Sequence, residues 1–124
     1  MNLSENDIRG PITAFLGDKA HAPVDLRDLR LASNRLTGEI PAAVNTKTAL
    51  VTLDLSNNDL NGKIPTEMSG LASSMKYMDL SGNDLEGSVA TSLCSLTSLL
   101  QLSLSENKLT GTIPICLLTQ LTGI

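Results

Sequence analysis

The hydrophobic positions of this chain recur around five asparagines: Asn6, Asn34, Asn58, Asn83 and Asn107. Subtracting neighbouring numbers gives spacings of 28, 24, 25 and 24 residues. Three residues before each Asn stands a leucine (Leu3, Leu31, Leu55, Leu80, Leu104), and two after it an apolar residue (Ile8, Leu36, Leu60, Leu85, Leu109). A glycine follows at four after (Gly10, Gly38, Gly62, Gly87, Gly111), then Ile or Val at six after (Ile12, Ile40, Ile64, Val89, Ile113). A period in the twenties with this content predicts a solenoid of stacked coils. Within each unit, alternation such as Leu53-Asp54-Leu55 predicts a strand with one buried face. Strands of successive coils then pair in parallel. Apolar residues ten after the Asn (Leu16, Val44, Met68, Leu93, Leu117) anchor the far side, where short 3₁₀ or α turns are expected.

The stretch Leu50-Val-Thr-Leu-Asp-Leu-Ser-Asn-Asn58-Asp-Leu-Asn-Gly-Lys-Ile-Pro65 carries L-x-x-L-x-L-x-x-N-x-L followed by L-x-G-x-I-P. Leu36–Pro41 and Leu109–Pro114 repeat the second part intact. This resembles the plant-type leucine-rich repeat found in receptor-like kinase ectodomains, receptor-like proteins and polygalacturonase inhibitors. The resemblance covers nearly the whole chain. It implies an α/β solenoid: a right-handed superhelix of about five coils, with a parallel β-sheet on the concave face and 3₁₀ or α turns on the convex side. The units fall at approximately 1–25, 26–49, 50–74, 75–98 and 99–124 of a single repeat domain. Two units depart from the pattern: Gly10-Pro-Ile-Thr13 has its proline moved, and Gly87-Ser-Val-Ala90 has none. Both keep the glycine and the apolar position, so both coils should survive.

An asparagine at an inward turn needs partners. Its amide has two donors and an oxygen with two lone pairs. Bonded to backbone groups of its own and the next coil, the five amides would form a ladder. Left unbonded, each would cost about 1–3 kcal/mol. The glycine four residues on admits a turn conformation that side chains disfavour, and the proline after Ile sets the chain direction entering the convex segment.

Composition narrows the function. Phe15 and Tyr77 are the only aromatic residues and the net charge is −4. Nucleic-acid binding favours stacking aromatics and basic charge, so it is disfavoured. No apolar run reaches the roughly 20 residues of a membrane span, and no signal peptide is visible. Neither end carries a polar or cysteine-bearing cap, which points to a fragment of a longer ectodomain. The alternative is a short gene product whose apolar ends associate end to end. Family resemblance implies an extracellular setting.

Cys94 and Cys116 lie eleven and nine residues after their asparagines. A two-residue offset on adjacent coils puts their Cα atoms near the roughly 7 Å limit for a bridge, so buried free thiols are expected. Asn2-Leu-Ser4 is a glycosylation sequon in form only. Asp18–Pro23, which includes His21, is read as an extended loop in the long first unit.

No catalytic constellation, metal-ligand cluster or cofactor motif emerges, so an enzyme is not expected. His21 is the single histidine, and the carboxylates recur only because the repeat does. The residues that alternate with the inward leucines face the concave surface: Asp28, Thr52, Tyr77 and Gln101 in one row, and Arg30, Asp54, Asp79 and Ser103 in the next. Exposed aromatics are over-represented among binding anchors. The functional reading is a protein or peptide, basic in character, packing on Tyr77 and contacting Asp28, Asp54 and Asp79. Solubility alone also selects Asp and Ser at such positions. Two other classes stay open: a structural spacer, and an ice- or polysaccharide-binding surface, which the mixed rows disfavour.

Overall fold

The computed structural model describes residues 1–16 and 25–121. The loop expected at Asp18–Pro23, with His21, lies outside them. The fold is the solenoid implied by the repeat. Strands β2 (Asp28–Arg30), β4 (Thr52–Asp54), β6 (Tyr77–Asp79) and β8 (Gln101–Ser103) form a parallel sheet in that order. Equivalent residues align without offset: Leu29, Leu53, Met78 and Leu102 form one inward row. The first unit contributes only a bridge between Asn2 and Arg30, and Met1 is half exposed rather than inward. The convex side consists of 3₁₀ turns at Ala42–Thr46, Ser69–Leu71 and Thr91–Ser95, with short helices α1 (Thr13–Leu16) and α2 (Ile115–Gln120) in the outer coils. Leu16, Val44, Met68, Leu93 and Leu117 are all buried there.

Pro41, Ala90 and Pro114 enter these turns with the same extended backbone (φ −73°, −65° and −55°). The coil that lost its proline therefore keeps the path, because alanine also adopts this region.

The asparagine amides tie the coils together. Asn58 Oδ1 accepts the Leu36 N–H of the preceding coil at 3.0 Å. Its Nδ2 donates to the carbonyls of Leu31, Leu55 and Ser56 at 3.0–3.1 Å. Asn34, Asn83 and Asn107 repeat the pattern, accepting from Ile8, Leu60 and Leu85. The partner coil is thus the preceding one, not the next. Among the described residues, the Asn6 side chain bonds only the Leu3 and Ser4 carbonyls of its own coil, and it is exposed.

The residue before each asparagine turns the chain inward. Glu5, Ser33, Asn57, Gly82 and Glu106 all have φ between 53° and 63°. Four of them accept the left-handed region with a side chain, at a cost of about 1–2 kcal/mol each. The motif glycines also have positive φ, from 73° at Gly62 to 103° at Gly10. At Gly10 a Cβ would meet nothing within 4 Å, so backbone conformation rather than space selects glycine there.

A second parallel sheet, not expected from the sequence, runs along the glycine side of the coils. It comprises β1 (Arg9–Pro11), β3 (Arg35–Glu39) and β5 (Asp59–Asn61); a separate two-stranded sheet pairs β7 (Glu86–Ser88) with β9 (Lys108–Thr110), and a single bridge between Lys63 and Glu86 links the two. Here Gly10 pairs with Leu36 and Gly38 with Leu60, a slip of two residues per coil.

The cysteines correct a second expectation. Cys94 and Cys116 form a disulfide with Cα atoms 5.7 Å apart. A two-residue offset separates Cα atoms that far only in an extended chain. Both residues lie in helical turns, where two positions rise only about 3–4 Å and rotate around the axis. Equilibrium unfolding should show Cys94→Ser with Cys116→Ser losing about 3 kcal/mol. Alkylation without reductant should leave both sulfurs unlabelled, and labelling of the native chain would disprove the bridge. Asn58→Leu strands one buried N–H and up to three carbonyls, and should cost about 3 kcal/mol or more. Asn6→Leu should cost under about 1 kcal/mol, because its exposed groups can bond water. Equal melting points for these two variants would refute the ladder as the source of cohesion.

Candidate functional site

The zero-offset sheet decides which side chains share a face. Asp28, Thr52, Tyr77 and Gln101 are register partners across β2, β4, β6 and β8. So are Arg30, Asp54, Asp79 and Ser103, and the bridge to Arg30 adds Asn2 to the row. All eight candidate residues therefore occupy two parallel rows on the outward face of one sheet. Neighbours along a row are about 4.8 Å apart. None of the eight is buried.

Tyr77 is 44% exposed, a large ring left in solvent at the middle of the sheet. It lines a hollow of about 490 Å³ together with Asp28, Arg30, Asp54, Asp79 and Gln101. Its floor is formed by Leu53 and Met78, which belong to the core.

The aspartates at the centre are held from behind. Asp54 Oδ1 accepts the Ser56 N–H at 3.1 Å and the Ser56 hydroxyl at 2.7 Å. Asp79 does the same with Ser81, at 3.0 and 2.6 Å. One oxygen of each carboxylate is thus engaged, and the other makes no hydrogen bond or ion pair among the described residues. The signal lay in the sequence as the repeated Asp-Leu-Ser, since Asp readily bonds the backbone two residues on; the sequence reading missed it.

Charge is compensated elsewhere. The ion pairs among the described residues are Arg9 and Arg35 with Asp7, and Lys108 with Asp84, at 2.8–2.9 Å on the ridge just past the asparagines. The hydrogen bond from Arg9 holds the Asp7 carboxyl below its usual range, while that to Asp84 raises the Lys108 ammonium. Although Arg30 is in register with Asp54, the two do not pair. Among the described residues no group of three or more His, Cys, Asp or Glu is placed to hold a metal. No described helix is long and apolar enough to cross a membrane.

Family models described as leucine-rich repeat match residues 25–85 and 98–119, together more than half of the chain. A putative leucine-rich repeat receptor-like serine/threonine-protein kinase of Arabidopsis thaliana is 48% identical over 88 residues. That match takes in 71% of this chain but 9% of the relative. Receptor-like protein 1 of the same plant is 49% identical over 53 residues, 43% of this chain and 5% of the relative. Among solved structures, the plant peptide hormone receptor RGFR1 in complex with RGF2 superposes with a TM-score of 0.86 at 31% identity, covering 100% of this chain and 19% of that one. The Arabidopsis receptor kinase HAESA, in complex with the peptide hormone IDA and the co-receptor SERK1, gives 0.80 at 30% identity, covering 92% and 18%. The chain thus spans a small part of the length of each.

Tyr77 is the sole tyrosine and there is no tryptophan, so its fluorescence reports on this face alone. Acrylamide should quench the native chain nearly as well as the unfolded one. A native ring shielded from quencher would place Tyr77 inside the stack and remove the hollow.

Proposed function

The chain belongs to the leucine-rich repeat family, and we propose that it is a recognition module that takes a peptide or protein segment across the outward face of β2, β4, β6 and β8. One observation carries this reading: zero register offset gathers an exposed aromatic ring and two braced, unpaired aspartates into one hollow. Tyr77 supplies apolar area at small cost in side-chain freedom. Asp54 and Asp79 present carboxylate oxygens already oriented, so less entropy is lost on binding. With Asp28 beside them, they favour a segment carrying Lys or Arg. The partner is therefore a protein or peptide of basic character. The receptors named above are known in complexes with peptides and a co-receptor, which supports a partner of this class. The disulfide suits an oxidising, extracellular compartment.

The test is capture of partners from extracellular extract on the immobilised chain, beside an Asp54→Lys, Asp79→Lys, Tyr77→Ala variant. The substitutions lie on the solvent face but remove the carboxylate bonds to Ser56 and Ser81, so the melting point should fall, and binding is compared well below the variant's transition. The variant should lose the partner by about thirtyfold or more, the effect of removing a centre worth 2 kcal/mol or more. Equal binding by both would put recognition on another surface.

A further inference from the structure

Asn2 occupies the same strand position as Arg30, Asp54, Asp79 and Ser103. It bridges to Arg30, and those four are register partners across the sheet. None of the five is buried, although Arg30, Asp54 and Asp79 have a coil on either side. Alternation along the strand, not place in the chain, turns this position to solvent.

Asn2 is also held as those aspartates are. Its Oδ1 accepts the Ser4 N–H at 3.1 Å, as Asp54 Oδ1 accepts that of Ser56 at 3.1 Å and Asp79 Oδ1 that of Ser81 at 3.0 Å. Asn2-Leu-Ser4 is therefore the asparagine form of the repeated Asp-Leu-Ser. In each, the backbone fixes one atom of the side chain and leaves the other free. At Asp54 and Asp79 the free atom is a carboxylate oxygen. At Asn2 it is the amide nitrogen, which donates to nothing among the described residues. The ladder asparagines are the reverse: Asn58 is buried and its Nδ2 donates to three carbonyls. Across all 124 residues, Asn2 is the only asparagine with Ser or Thr two places on.

We propose that Asn2 carries an N-linked glycan. The co-reactant is a lipid-linked oligosaccharide pyrophosphate of the secretory pathway. Nδ2 forms a bond to the anomeric carbon of the first sugar while that carbon's bond to the pyrophosphate oxygen breaks. Nδ2 gives up one proton, the lipid pyrophosphate leaves with the electron pair, and nothing is oxidised or reduced. Transfer precedes folding, so the fold's contribution is room: the acceptor nitrogen ends up on the outward face. A glycan there stands beside Arg30 and three strand spacings, about 14 Å, from Asp79. It borders the hollow around Tyr77 without filling it. The inference rests on the extracellular setting argued above, and not on recognition by the sheet face.

Secretion of the chain from eukaryotic cells behind a cleavable leader, followed by intact-mass analysis and peptide mapping, tests this. The expected result is a mass above 13.1 kDa. Peptide:N-glycosidase should remove the excess and leave an aspartate where Asn2 stood. Ser4→Ala keeps the backbone N–H that Asn2 accepts, yet should lose the added mass; Ser4→Thr should retain it. Asp79→Asn installs the same triplet at the equivalent position of an interior coil and should gain a second glycan. An unmodified Asn2 beside a glycosylated Asp79→Asn site overturns the proposal. So does a secreted chain in which neither site is modified, or an added mass that survives Ser4→Ala. No partner binding enters these readouts, so their failure leaves the recognition reading standing.

Discussion

The structure depends on the hydrogen bonds that the amides of Asn34, Asn58, Asn83 and Asn107 each make to two coils at once. A chain that turns sharply into an apolar core leaves backbone groups pointing where no water reaches, and each orphan costs about 1–3 kcal/mol. Asn58 answers for four such groups with one side chain. Leucine in its place fills the volume but bonds nothing. Aspartate supplies acceptors but no donor for the carbonyls of Leu31, Leu55 and Ser56. The left-handed residue before each asparagine belongs to the same device, since that turn brings the amide beneath the backbone. Strain of about 1–2 kcal/mol at Ser33 or Asn57 is tolerated because the bonds it permits are worth more.

The two flanks of the coil then differ in a way that matters for recognition. On the flank of β2 to β8 equivalent residues align strand to strand, and side chains form straight rows. On the glycine flank each strand is displaced by two residues on the next, about 6.6 Å along the strand. Equivalent side chains there are staggered, and their charges are largely spent on each other, as Asp7 is on Arg9 and Arg35. Only the aligned flank can offer a partner the same position on successive coils.

Much of this was legible in the sequence because a repeat multiplies weak signals. Register, the inward leucines and both outward rows follow from counting back from the asparagine, and all eight face residues fell where that count put them. What escaped had a physical reason in each case. The second sheet is written in Leu36-Thr-Gly-Glu-Ile40, which alternates as a strand does, but its central glycine reads as a turn. The disulfide escaped because distance along an extended chain overstates distance along a helical one. The direction of the ladder escaped because it depends on which neighbouring coil each amide bonds, and sequence alone does not give that direction.

That direction has a consequence for how the face can change. Every core and ladder position is answerable to the coils on both sides, so a substitution there is felt twice. Among the described residues the side chains of outward positions such as Thr52 and Gln101 make no hydrogen bond across the junction; only their backbone N–H groups reach the preceding coil, at the Arg27 and Lys76 carbonyls. Outward residues can differ from coil to coil, as Asp28, Thr52, Tyr77 and Gln101 do, while Leu29, Leu53, Met78 and Leu102 beneath them stay apolar. Asp54 and Asp79 are intermediate cases. Their bonds to Ser56 and Ser81 stay within one coil, so orientation is fixed without involving the stack. A binding face can therefore be made rigid at chosen points without constraining the neighbouring coils, which explains how such variety of outward residues coexists with so uniform a core.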